Sequence, residues 1–284
     1  MKIYRSFFKS KVPIVLVNYS NSNFKTAQIF NSISGVLLGG FDKVISYCFE
    51  DLEIEFVEKN QDHFQKSRGG GYWVWKPYVI LKTLEKLEYG QYLFYSDSGS
   101  VFKRNIRRLI SSINLDQDVI SFELPYVEKA FTKQLVFQEL NCESSQFQDS
   151  FQRLAGFILI KKSDLSVKLI EEWLSYSQNL IYIDDSHPSQ GIDCFVEHRH
   201  DQSIFSLLVK RNNFKCYRDP SQFGNPLKDL YPDSKYPQLI YLHRAGKIGL
   251  RQFLSIIKNI VFNIPFTSIP KYKQSPKLIT DDNS

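Results

Sequence analysis

Four apolar residues in a row, Ile14, Val15, Leu16 and Val17, sit inside "VPIVLVNYS" (12–20) and constrain this chain more than any other feature. An apolar run without polar alternation reads as a strand buried on both faces. Such strands belong to sheets covered by helices on both sides. The following segments fit that demand. Residues 23–38 carry Ala27, Phe30, Ile33, Val36 and Leu37 at helical spacing and stop at Gly39 and Gly40. "KVISYCF" reads as a second strand. "YVILKTLEKLEYG" (78–90) repeats Ile80, Leu81, Leu84 and Leu87, with Pro77 near its start and Gly90 at its end. "QYLFYSD", "DVISFEL" (118–124) and "AGFILIKK" (155–162) read as strands. Residues 164–179 predict an amphipathic helix capped by Asp164, and 201–212 another capped by Asp201. "KCYRD" and "LIYLHR" read as short strands. The alternation predicts an α/β fold: a single domain over 1–250, with a twisted, mostly parallel central sheet flanked by helices. A C-terminal helix and tail occupy 251–284. There "RQFLSIIKNIVFNIPF" (251–266) forms a broad apolar stripe, and "TDDNS" is expected to be disordered.

Composition narrows the function classes. The chain has 284 residues, 43% hydrophobic and 15% aromatic, enough for a sizeable core. Cys48, Cys142, Cys194 and Cys216 show no CxxC spacing, which argues against a zinc ribbon or disulfide framework and for a reducing compartment. The N-terminus lacks a long apolar segment of the signal-peptide type, and no run of about 18 apolar residues is present. A cytoplasmic protein is expected. Net charge is +6, from 36 Lys and Arg against 30 Asp and Glu. That balance reads as ordinary surface charge or as a match for an anionic partner. No block of clustered Lys and Arg with interleaved aromatics marks a nucleic-acid groove, so nucleic acid is not an expected partner. The 251–266 stripe, near Lys258, Lys271, Lys273 and Lys277, fits either a helix packed on the domain or a peripheral contact with the inner face of a membrane.

Four stretches carry chemistry. "LFYSDSGSVF" (93–102) ends a buried strand on Asp97, beside Ser98 and Gly99. Ligands of open α/β sheets bind outside the carboxyl ends of strands, and a carboxylate there offers hard oxygens to a divalent cation. The plain alternative is an Asx-type turn. "RGGGYWVWKP" (68–77) offers a glycine loop, including Gly70, whose N–H groups suit an anion. It adds Tyr72, Trp73 and Trp75 for stacking, and Arg68 and Lys76 for phosphate. "EHRHDQSIF" (197–205) leads a polar cluster, Glu197 to Gln202, into an apolar helix. "YLHRAGK" (241–247) ends a strand with His243, Arg244 and Lys247.

Together these segments resemble glycosyltransferases of the GT-A fold found in bacterial surface-polysaccharide gene clusters. Members of that group carry a GYWxWKP segment, a helix, a Y-x-D-x-G strand end and a later HRxDQS segment. The resemblance covers roughly residues 10–250. More remotely, the order of parts resembles glycogenin and lipopolysaccharide-galactosyltransferase-type enzymes. It implies a Rossmann-like, GT-A-like domain, a nucleotide-sugar donor and a saccharide or lipid-linked acceptor. Asp97 takes the place of a DxD carboxylate, while Gly99 stands where the second Asp would be. Ser98, Gly99, Arg68, Gly70, Tyr72, Trp73, Trp75, Lys76, Arg244 and Lys247 then belong to donor binding. Asp201 and Gln202 match the family's Asp-Gln pair, and His200 or Asp201 would serve as base. His243 matches a C-terminal metal histidine. Mn²⁺ or Mg²⁺ held by Asp97, His243 and the donor diphosphate is one expectation. A metal-free site in which Lys76, Arg244 and Lys247 neutralise the leaving group is the other. Inversion and retention both stay open. Two other classes compete: a non-catalytic nucleotide-sugar or glycan-binding protein on a degenerate scaffold, and a metal-dependent hydrolase built on "HRHD".

Overall fold

The computed structural model describes residues 1–5, 12–113, 117–186 and 194–261. Nine strands are present among them: β1 (Lys2–Arg5), β2 (Ile14–Tyr19), β3 (Lys43–Tyr47), β4 (Tyr92–Ser96), β5 (Ser100–Phe102), β6 (Val119–Val127), β7 (Phe151–Lys161), β8 (Cys216–Arg218) and β9 (Ile240–Leu242). Seven form one sheet in the order β1-β3-β2-β4-β7-β6-β8, and β5 pairs with β9 beside it. The principal helices are α1 (Lys25–Ser34), α2 (Trp75–Leu84), α3 (Asp164–Ser177), α4 (His200–Arg211) and α5 (Leu250–Val261).

The α/β class is the expected one, and the sheet is mixed. β2 runs parallel to β3 and β4, and β6 parallel to β8. β1, β4 and β6 run antiparallel to β3, β7 and β7 respectively. Parallel neighbours need a crossover, whereas antiparallel ones do not. α1 and α2 supply crossovers before β3 and β4. Between β6 and β7 lie only short helical turns, such as Glu128–Phe131 and Gln134–Glu139, and the chain returns antiparallel.

The unbroken apolar run of β2 follows from burial on both faces. Alternate residues point to opposite sides of a strand. Val15 and Val17 join Ile45, Leu93 and Ile158 in the core beneath α2, α3 and α4. Ile14 and Leu16 join Val44, Phe94 and Leu159 in the core on the other face, with Phe41 and Phe102. Two helix starts differ from the expected caps. Ser163 rather than Asp164 caps α3, its hydroxyl accepting from the Ser166 N–H. Asp201 lies inside the first turn of α4, whose N-cap is Arg199.

A buried polar layer fixes the carboxyl ends of the central strands. Asn18 of β2 donates to Asn31 (2.7 Å) and Ser32 (3.0 Å) of α1. Asn31 donates in turn to Ser96 of β4 (3.2 Å) and to the Ser100 carbonyl (3.0 Å). Ser32 meets Ser46 of β3 at 2.9 Å. Asn31 is wholly buried, so Asn31→Ala strands several polar partners without water. We expect a loss of about 2–3 kcal/mol, the scale for buried groups left unsatisfied, read as a lower urea midpoint with an unchanged slope.

The helix expected over 251–266 is present as Leu250–Val261, and residues 262–284, with "TDDNS", lie outside the described residues. It packs Phe253 on Phe30 of α1, with ring centroids 5.5 Å apart, and buries Ile256. Leu250 (75%), Leu254 (57%) and Ile257 (43%) stay exposed. Among the described residues no helix is long and apolar enough to cross a membrane.

Candidate functional site

A cavity of about 560 Å³ opens at the carboxyl ends of β2 and β4. Asp97, Ser98 and Gly99 form part of its wall directly after β4. The strand end holds Asp97 in place through its backbone, which donates to the Gly156 carbonyl at 2.9 Å. Gly156 leaves space there, since a Cβ would lie 3.0 Å from the Asp97 carboxylate and push it aside. The Asp97 side chain is 40% exposed. Its Oδ1 accepts from the Tyr95 hydroxyl at 2.8 Å.

Lys76 ties Asp97 to α4. It projects from the first turn of α2 into a fully enclosed position, with Nζ 2.8 Å from Asp201 Oδ2 and 3.5 Å from Asp97 Oδ1. Burial works against the Lys76 charge, but the two carboxylates outweigh it and hold the ammonium above its usual pKa. Burial pushes Asp201 up to about 6, even with Lys76 opposing. The Trp173 indole donates to the Asp201 carbonyl at 2.9 Å and anchors the start of α4. Lys76 is therefore a buried tie between carboxylates, not the exposed phosphate ligand expected from its place beside the tryptophans.

"GGGYW" also differs from its expected form. From Gly69 to Trp73 every residue has positive φ (61°, 58°, 97°, 51° and 62°), a left-handed turn. Glycine adopts this without steric cost, whereas Tyr72 and Trp73 are held there by packing. The N–H groups of Gly70, Gly71 and Tyr72 donate to Ser67, Lys66 and Arg68 carbonyls, so they do not form an anion cradle. The turn aims the aromatics. Trp75 donates from its indole to Gly69 at 2.9 Å and stacks on Tyr19 at 3.7 Å. Trp73 and Trp75 line the cavity, while Tyr72 is buried against His200 at 5.0 Å.

The other expected residues divide clearly. Gln202 lines the cavity, held by the Ala155 N–H at 3.2 Å and by Gln152 at 2.7 Å. Arg244 lines it as well. Arg68 lies outside the lining, 3.5 Å from both Asp185 and Glu197. Gly70 lines a second, adjacent cavity of about 500 Å³. Lys247 is exposed and outside both. His200 does not reach the cavity: its Nδ1 lies 2.7 Å from the Ile183 carbonyl, and its ring is stacked beside Tyr72 and Trp73. Burial lowers it to about 4. The expectation that it acts as a base gives way to a packing role. His198, 2.9 Å from the Tyr182 carbonyl, is buried likewise, so "HRHD" does not gather a metal-binding pair.

Among the described residues, the expected pair Asp97 and His243 does not fit a divalent ion. The backbone N–H of Ala245 donates to His243 Nδ1 at 3.1 Å. That nitrogen is therefore unprotonated, and the ring proton sits on Nε2, which then has no lone pair to give a metal. At Gly99 a Cβ would lie 3.1 Å from the Arg244 Cα, so Arg244 backbone occupies the ground beyond. Asp97 Oδ1 already faces an ammonium. Among the described residues no group of three or more His, Cys, Asp and Glu could hold a metal.

Several cavity residues were not singled out in the sequence. Tyr19 ends β2 and Ser20 and Asn21 follow it, Tyr126 and Arg199 face each other with the guanidinium 4.9 Å from the ring, and Phe223 lies under Arg244. The signal for the first three was present, since they too end a buried central strand.

No protein-family model matches the sequence, and no curated protein matches it. Solved structures with a similar backbone include the apo form of mouse xyloside xylosyltransferase 1 (TM-score 0.47, 13% identity, covering 84% of this chain and 99% of that one). The apo bifunctional glycosyltransferase WbbM gives a TM-score of 0.48 at 14% identity, covering 90% of this chain and 50% of that one. The galactosyltransferase LgtC, in complex with donor and acceptor sugar analogues, gives 0.47 at 13% identity, covering 81% and 86%.

Proposed function

We propose that this chain is a glycosyltransferase that moves a sugar from a nucleoside-diphosphate donor to a saccharide or lipid-linked acceptor in surface-glycan synthesis. The observation that carries this reading is the position of Asp97. It stands at the carboxyl end of a central strand, half-exposed on the wall of a cavity that also holds Gln202, Trp73 and Trp75. Cavities of roughly 300–1,000 Å³ with mostly apolar walls and a few converging polar groups suit small ligands. The two indoles offer flat faces to a base or sugar. In the transfer, the bond between the anomeric carbon and the diphosphate oxygen breaks, and its electron pair leaves with the diphosphate. The acceptor hydroxyl oxygen forms the new bond, and its proton passes to the departing diphosphate, whose oxygen gains the electron pair. Positive charge builds on the sugar, where a fixed carboxylate lowers the barrier.

A panel of nucleotide sugars with simple saccharide acceptors tests the reading. Turnover that depends on acceptor is expected with at least one donor. Saturable binding without turnover would replace the transferase by a sugar-nucleotide binder. Cleavage by water alone, indifferent to acceptor, would mean a hydrolase.

Contact with an anionic membrane, where a lipid-linked acceptor resides, belongs to the same proposal. Leu250, Leu254 and Ile257 of α5 remain exposed, as do Ile29 (36%), Ile33 (44%) and Leu37 (73%) on and beyond α1, against which α5 packs. Exposed Arg251 and Lys258 flank the α5 face. Leu254→Asp should reduce sedimentation with vesicles containing anionic lipid while leaving the melting temperature unchanged. Equal sedimentation of variant and wild type would remove this face from the proposal.

A further inference from the structure

We infer that the diphosphate leaving group is neutralised by the guanidinium of Arg244 rather than by a divalent cation, so that donor binding and transfer are metal-independent. This rests on the transferase reading and adds the identity of the cation.

Arg244 is built into the wall. Its residue has φ +58°, a region a non-glycine side chain rarely occupies. Strain of this kind persists only where the surroundings over-determine it. Here the Arg244 N–H and the His243 N–H both donate to the Gly99 carbonyl at 2.9 Å. The pairing of β5 with β9, Ser100 opposite Leu242, brings the two segments together. Gly99 is what allows the approach, because a side chain there would collide with the Arg244 backbone. A glycine at 99 thus makes room for the backbone of Arg244. Beyond the backbone, the guanidinium lies 5.1 Å from the centre of the Phe223 ring, and the buried Asp219 carboxyl on the same wall feels its charge. Arg244 is exposed and lines the cavity beside Ser98 and Gly99.

The chemistry fits the geometry. When the anomeric C–O bond breaks, its electron pair adds charge to the diphosphate. A guanidinium offers a planar fork of N–H donors to two oxygens at once. His243, next in the chain, does not line the cavity, so the guanidinium is the cation of this segment that reaches it. Asp97 then acts on the sugar side, and the opposite charges of Asp97 and Arg244 match the two poles of the transition state.

Calorimetric titration of the full chain with UDP, GDP, ADP and TDP, each in excess EDTA and again in Mn²⁺, tests this. At least one should bind in EDTA, with Mn²⁺ changing its Kd by less than about threefold. Arg244→Gln should weaken that binding roughly tenfold or more in both buffers, with Arg244→Lys between and all melting temperatures alike. Binding that requires Mn²⁺, or unchanged affinity in a folded Arg244→Gln, would overturn the inference and leave the transferase reading standing. Failure of every nucleoside diphosphate to bind in either buffer would overturn both.

Discussion

Asp97→Asn should lower turnover by about 10²-fold or more, the scale for losing one strong electrostatic contact in a transition state, and leave the fold standing. The substitution keeps the shape and removes the charge. The Tyr95 hydroxyl, which donates to Oδ1 at 2.8 Å, meets an amide oxygen equally well. Lys76 keeps its nearer partner, Asp201 at 2.8 Å. The backbone bond to Gly156 does not involve the side chain. What changes is the field at the cavity wall, where a sugar acquiring positive charge would face a neutral group. Because the same contact is weak in the ground state, the loss should appear mainly in kcat rather than KM. The comparison is steady-state kinetics of the two proteins on the best donor, with thermal melting as the folding control. A folded, fully active Asp97→Asn would show that Asp97 merely shapes a turn.

How far the sequence reaches is clearest at the four stretches around this site. Strand ends and helices were legible because periodicity encodes burial directly. Ile14 to Val17 reads as a two-faced strand and is one. Direction was not legible: nothing in "AGFILIKK" says that β7 runs antiparallel to β4, since that depends on how the connecting chain returns. Asp97, Gln202, Trp73, Trp75 and Arg244 were picked out as chemical side chains, and they share one cavity. Lys76, Asp201 and His200 have equally suggestive neighbours in sequence, yet they turn inward. A sequence lists which groups are polar but not which way a helix start faces, and the first turns of α2 and α4 face each other. The run of positive φ at Gly69–Trp73 was half visible, as three glycines. That Tyr72 and Trp73 continue it is not legible from their residue types, which rarely adopt the left-handed region. Tyr19 and Asn21 were missed because neither carries a charge, although their place at and just after the carboxyl end of a central strand marks them.

Lys76→Met should cost on the order of 1–2 kcal/mol near neutral pH, growing by at most about 1.4 kcal/mol for each further pH unit, because it leaves a buried carboxylate without its partner. Nζ sits between Asp201 Oδ2 and Asp97 Oδ1, with the Ala155 carbonyl 3.5 Å away and the centre of the Tyr95 ring 5.4 Å away. Asp97 is half-exposed and can recruit water. Asp201 is enclosed and cannot. The pH dependence gives the test its sign. Burial raises Asp201 to about 6 in the folded protein, above the roughly 3.9 of an unfolded aspartate. A carboxyl raised on folding favours the folded state when protonated, and that contribution is lost as pH rises from the unfolded value through the folded one. With Lys76 present the loss is complete a little above pH 6. Without it the folded pKa moves higher still, so the variant continues to lose stability where wild type has levelled off. The gap between the two urea midpoints should therefore be small at about pH 5 and wide at about pH 8. Adding Asp201→Asn to Lys76→Met should close most of that gap, since no charge is then stranded. A Lys76→Met protein whose stability tracks wild type across this range would mean that Asp201 is neutral in both, and that the lysine holds Asp97 alone.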